Sequence, residues 1–174
     1  MHITLDEVNK QKDVMDTVHF ALRFGNIPGF SGDSSPMTIL CQTASIPGLT
    51  IEPVEVGLHG HTVRFRGRKT FSGTMSIGFV ETASYEIQRR LRAWNEYCVG
   101  TNTSSSGGYK DQYAITAELE VYDVTQKIAD RLSIFGVWPS DVPEVQLDGQ
   151  SAQAMLINPS FTFDYFTSIH HDFR

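Results

Sequence analysis

The chain has 174 residues, 40% of them apolar, with 14 Lys and Arg against 20 Asp and Glu and a formal charge of −6. That length supports one domain with a proper core, and the acidic balance excludes a surface that grips phosphates over most of its area. No apolar stretch approaches the eighteen residues of a bilayer-spanning helix, and nothing resembling a secretory signal opens the sequence. The expectation is a soluble, intracellular chain whose two cysteines, Cys41 and Cys98, are reduced and packed.

Residues 1–16 mix lysines and acids with few large apolar groups, the composition of a flexible arm that orders only against something else. Val18 to Phe24 is a first predicted strand. Gly25, Pro28, Gly29, Gly32 and Pro36 form a turn-rich link to a second apolar run, Met37 to Gln42, and the two runs are candidates for a hairpin. Beyond Ile46-Pro47-Gly48, the runs Thr50 to Val56 and Thr62 to Arg66 flank Gly57-Leu58-His59-Gly60 as a second hairpin. Pro53 marks its first arm as an edge or an interruption.

Thr74 to Val80 alternates with Met75, Ile77 and Phe79 inward. The period then changes: Ile87, Leu91, Trp94 and Cys98 recur at helical spacing, with Ser84 the expected N-cap and Arg89, Arg90, Arg92 and Glu96 on the wet faces. This is the one helix the sequence predicts. Residues 99–111 collapse to Gly, Ser, Thr and Asn and are expected to be a flexible loop. Ile115 to Val121 is another one-sided strand, and Arg131 to Phe135 a shorter one before a Gly136-Val137-Trp138-Pro139 turn. The last strand pair runs from Met155 to Tyr165, with Met155, Ile157, Phe161, Phe163 and Tyr165 inward and Asn158, Ser160, Thr162 and Asp164 outward. The total is eight or so strands around one helix, a mainly β domain of two packed sheets, sandwich or partly open barrel.

Candidate sites are few. His59-Gly60-His61 has chelating spacing without a third ligand nearby, and His170-His171 sits in a terminal segment. Asp123, Asp130 and Asp141 stand in turn-like or strand-end settings where Asp is ordinary. No nucleophile elbow, phosphate-cradling Gly loop, Cys-x-x-Cys or His-Glu-x-x-His is present, so nothing in the sequence argues for an enzyme or a bound cofactor. The one basic cluster is Arg64, Arg66, Arg68 and Lys69. Strand alternation predicts that its three arginines share a face, suited to an acidic protein surface, including a second copy of the chain, more than to nucleic acid.

Taken in order, Cys41 with Ile46-Pro47-Gly48, Val54-x-Val56 with Gly60, the strand ending at Phe79, the helix with Trp94, Gly136-x-Trp138-Pro139, Leu147-Asp148 and Phe161-x-Phe163-x-Tyr165 resemble the tail tube proteins of contractile-tailed bacteriophages. The resemblance spans residues 17–166, leaving the arm 1–16 and a tail 167–174. It implies two packed β-sheets flanked by a helix, in a subunit that forms hexameric rings stacked into a hollow tube for DNA ejection. The partners it implies are other copies of the chain, the tail sheath, the baseplate and the tail terminator, with DNA passing through the lumen without specific binding. It implies a place in the virion tail after assembly in the host cytoplasm, no membrane insertion of the subunit, and no catalytic role. Residues 49–66 would be the hairpin that reaches the adjacent ring, with Arg64, Arg66, Arg68 and Lys69 at that contact. Glu118, Glu120 and Asp164 are candidates to face the lumen and repel DNA. Similar rings built by type six secretion or bacteriocin tubes are the alternative function. A ligand-binding β-sandwich displaying Trp94, Trp138 or the aromatic strand is a more distant one.

Overall fold

The computed structural model describes residues 19–101, 108–147 and 153–169. The predicted arm at 1–16, the centre of the predicted loop, Asp148 and the histidine pair at 170 and 171 lie outside the described residues. Among the described residues the chain forms ten strands and three helices. In order these are β1 (Phe20–Phe24), α1 (Ser35–Ile39), β2 (Cys41–Ala44), β3 (Leu49–Leu58), β4 (His61–Phe71), β5 (Thr74–Val80), α2 (Glu86–Cys98), α3 (Lys110–Tyr113), β6 (Ile115–Tyr122), β7 (Ile128–Asp141), β8 (Leu156–Ile157), β9 (Ser160–Thr162) and β10 (Tyr165–Ser168).

The sheets are antiparallel. β1, β6, β7 and β10 make a four-stranded layer in that order, while β2, β5, β9 and the far end of β7 make a second, with β8 also on β5. β7 belongs to both layers, and the residues expected to form a Gly-Val-Trp-Pro turn are what lets it do so. Between the pairs Ala117–Ile134 and Ile115–Val137, β7 holds one residue more than β6. That bulge contains Gly136 at φ 73°, the left-handed geometry that suits glycine. The extra residue flips the alternation, so Leu132 and Ile134 point inward before it and Val137 after it. The segment is a bent strand, not a turn.

The same corner explains a second departure. Ile157, Phe161 and Phe163 are buried as expected, but Tyr165 is 45% exposed. Opposite Gly136 the chain turns at Asp164, whose N–H donates to the Phe135 carbonyl (2.9 Å), and Phe166 takes the inward position in place of Tyr165. Tyr165 stacks instead on Phe135, its partner across the strands, with ring centroids 4.8 Å apart.

Met37 to Gln42 was expected to be a strand hairpinned to the first. Its first half is α1, started by Pro36 in the opening turn, where the missing N–H costs nothing. Ser34 Oγ donates to the Phe24 carbonyl and Asp33 accepts from the Ser35 N–H, fixing that start. β1 pairs with β6 and β2 with β5, so the expected hairpin does not form.

α2 matches its predicted face: Ile87, Leu91 and Trp94 are fully buried and Cys98 nearly so. The cap differs. Tyr85, at φ 55°, occupies the N-cap, and the Glu81 carboxylate reaches over to accept the N–H groups of Ile87 (3.0 Å) and Gln88 (2.7 Å). A carboxylate there satisfies two orphan donors and meets the positive end of the helix dipole. Arg90, expected on a wet face, is 4% exposed; it donates to the Asp33 carbonyl, pairs with Glu86 (2.5 Å) and covers the Phe30 ring.

Between the layers Phe24, Phe79, Trp94 and Phe161 form one aromatic cluster with centroid separations of 5.6 to 6.4 Å. The Trp94 indole N–H donates to the Tyr113 carbonyl (2.8 Å), so its polar atom is satisfied inside the core. Fully burying each such ring contributes about 1.5–3 kcal/mol relative to leaving it exposed.

Candidate functional site

Three surfaces stand out. The first is the pair of outer strands. β1 pairs only with β6, and β10 only with β7, among the described residues. Among the described residues the four-stranded layer therefore ends on each side in a strand with no further strand beside it, an edge that monomeric proteins normally cover or charge.

The second is the hairpin β3–β4, which is longer than the sequence predicted and whose strands pair chiefly with each other. Its tip is a two-residue turn, His59 at φ 49° and Gly60 at φ 83°, the left-handed pair a tight hairpin needs. Pro53 does interrupt: between Ile51–Lys69 and Pro53–Arg66, β4 carries one extra residue. A Cβ on Gly67 would collide with the Glu52 carbonyl oxygen, so glycine is required in this bulge. The bulge rearranges the basic stripe. Arg64, Arg66 and Lys69 share one side, while Arg68 falls in the bulge and leaves the face that simple alternation assigned to it. Arg64 pairs with Glu55 directly opposite (2.6 Å), both well exposed, and Lys69 lies over the Phe71 ring.

The third is the outward face of the four-stranded layer, where register brings Arg23, Glu118, Glu120 and Arg131 side by side. Glu120 is 1% exposed. Arg131 holds its Oε1 through Nε (2.8 Å) and a terminal nitrogen (2.6 Å), and Arg23 (3.2 Å) and the Tyr122 hydroxyl (2.7 Å) hold its Oε2. The Tyr122 hydrogen bond, followed by Arg131 and Arg23, keeps the Glu120 carboxyl below the usual carboxylate range. Glu120 is thus a buried anchor beneath two arginines, Glu118 is half-buried beside it, and Asp164 stands at the corner paired with Lys110 (2.5 Å). The four charges on the face balance. Alternation flagged these acids, but the pairing was not readable, because the partners come from strands about a hundred residues apart in the chain for Arg23 and across a hairpin for Arg131.

The remaining candidates are ordinary. Asp123 caps a turn, accepting from the Thr125 N–H and hydroxyl and the Lys127 N–H, and Asp130 accepts from the Ser168 hydroxyl (2.6 Å). Among the described residues no three potential metal ligands converge, and His59 and His61 sit exposed at the hairpin tip. Burial pushes the Cys41 thiol up to about 11 and raises that of Cys98.

The chain is similar to the tail tube protein gp19 of Enterobacteria phage T4, 24% identical over 115 residues covering 66% of this chain and 70% of that protein. It is also similar to the tail tube protein of Serratia phage KSP90, 21% identical over 150 residues covering 85% and 82%. The fold matches a chain in the sheath–tube complex of an extracellular contractile injection system, PVC, with a TM-score of 0.61 at 9% identity over 96% of this chain and 98% of that one. The family described as phage tail tube protein matches residues 11–169. With two packed layers and a projecting hairpin, the chain belongs to the phage tail tube protein family, whose members are structural tail tube proteins.

Proposed function

We propose that this chain closes into hexameric rings through β1 of one copy and β10 of the next, and that the rings stack into the inner tube of a contractile phage tail, the conduit for DNA ejection. The observation that carries this is the four-stranded layer that, among the described residues, ends in β1 on one side and β10 on the other with no further strand beside either, in a chain of the tail tube family. Six such layers joined edge to edge make a closed barrel, which removes both exposed edges of that layer at once. The projecting hairpin reaches the adjacent ring, with Arg64, Arg66, Arg68 and Lys69 at or near that contact.

In this assembly the outward face of the layer lines the channel. Glu118 contributes to the wall and Asp164 lies at its end, while Glu120 is shielded by Arg23 and Arg131. A charge-balanced wall lets a phosphate backbone pass without either gripping it or strongly repelling it. Sheath around the tube, baseplate at one end and terminator at the other complete the partner set, with assembly in the host cytoplasm and no membrane insertion of the subunit. A secretion or bacteriocin tube keeps the same rings and changes the cargo; the phage names of the relatives favour DNA.

Electron microscopy of the purified chain, alone and with sheath and baseplate proteins, is the test. Six-fold rings or hollow tubes are the expected result, and a chain that stays monomeric at high concentration in all of these mixtures would overturn the proposal.

A further inference from the structure

The outer half of the hairpin, from Pro53 to Arg66, has two unlike faces. Val54 pairs across the strands with Phe65, and Val56 with Val63, so these four share one side with Leu58. Pro53, Glu55, Thr62, Arg64 and Arg66 share the other. Val54, Leu58, Val63 and Phe65 are 52%, 47%, 38% and 51% exposed. A contiguous apolar ladder left open to water marks an interaction site, and a two-stranded hairpin standing alone is marginally stable.

Charge points to the occupant. Residues 49–71 hold four cations and two acids, a balance of +2, whereas the rest of the chain holds ten cations and eighteen acids, a balance of −8. A hairpin of one sign on a body of the other is complementary to a second copy of the same chain.

We infer that the apolar face of the hairpin is the side that beds onto a second copy in the neighbouring ring, and that the basic face lies at the margin of this contact. This rests on the ring-stacking proposal and assigns different work to its two faces. The apolar ladder supplies the holding energy, because desolvated apolar centres dominate interface energetics. The margin arginines steer the hairpin toward the acidic body and set the rate of docking. Arg64 is already paired with Glu55 in open solvent, so it has little additional attraction to offer. Unbroken alternation from Pro53–Arg66 to the tip makes this division.

The test compares full-length wild type with a Val63→Ser, Phe65→Ser double variant and an Arg64→Gln, Arg66→Gln double variant, by electron microscopy and sedimentation. All four positions are exposed, and an unchanged far-ultraviolet circular dichroism spectrum and melting curve of the monomer confirm that each variant folds. The apolar variant is expected to form rings but to lose tubes by about tenfold or more. The basic variant is expected to assemble more slowly yet reach tube lengths within about twofold of wild type, and wild-type tubes to persist in about 1 M salt, where surface charge is screened. Tubes from the apolar variant as long as wild type, or wild-type tubes falling apart into rings in high salt, overturn the inference while leaving ring stacking intact. A wild type that makes rings but never stacks them, with its partners present, overturns the stacking proposal itself.

Discussion

Glu120→Gln tests the buried charge cluster on the outward face. Glutamine keeps the shape and one carbonyl oxygen. With that oxygen toward Arg131, whose two contacts are at 2.8 and 2.6 Å, those bonds keep a cationic donor but lose the anionic acceptor, and the Tyr122 hydroxyl, which donates to Oε2 (2.7 Å), turns to accept from the amide; together this is a loss of about 1 kcal/mol. The Arg23 contact at 3.2 Å is lost too, but Arg23 is 58% exposed and swings into water, so this adds about 0–1 kcal/mol. The total is about 1–2 kcal/mol. At a urea slope near 2 kcal/mol per M, the unfolding midpoint followed by tryptophan fluorescence should fall by about 0.5–1 M. The pH dependence gives a second check. A carboxyl whose folded pKa is depressed stabilises fully above its unfolded pKa of about 4.3 and loses that contribution as pH falls through the folded value. The gap between wild type and variant should therefore be flat from about pH 8 to 5 and shrink below about pH 4. A midpoint unchanged within about 0.2 M, or a gap undiminished at about pH 3, would refute the account.

Other substitutions probe the elements that shape the subunit. Glu81→Gln weakens the cap on α2, where one carboxylate serves the Ile87 and Gln88 N–H groups. It should cost about 1 kcal/mol, read as a melting temperature lower by about 2–4 °C, and an unchanged temperature would show the cap to be idle. Gly136→Ala forces a Cβ into left-handed backbone and against the Asp164 carboxylate; a loss of at least about 1–2 kcal/mol is expected in urea unfolding, and neutrality would mean that the bend does not need glycine. With the Cys41 thiol pushed up to about 11 and that of Cys98 also raised, both should resist alkylation at about pH 8 in the native protein and react fully in urea. Fast labelling of the folded chain would contradict their burial.

Where local pattern and tertiary packing agree, the sequence was readable. The helical period of Ile87, Leu91 and Trp94, the alternation of Met75, Ile77 and Phe79, and that of Ala117 and Leu119 each predicted the face that is buried. Periodicity fails wherever one residue is added. The bulges at Gly67 and Gly136 each shift the alternation beyond them, which moved Arg68 off the basic face and put Phe166 inward in place of Tyr165. Such an insertion shows only when the partner strand is in place, because it is defined by the mismatch between two strands.

The sequence by itself determined the mainly β class, the long helix, the projecting hairpin and the family likeness, all written in local period, turn residues and motif order. The tertiary structure alone decided that a supposed turn is the bend carrying β7 between two layers, and that among the described residues β1 and β10 are the outer strands of one of them. It alone placed Glu120 under arginines from two other strands and Glu81 over a helix it does not belong to. The physical reason is the same in each case: strand order, bulges and charge pairing are relations between segments distant in the chain, whereas residue pattern records only which way each segment faces.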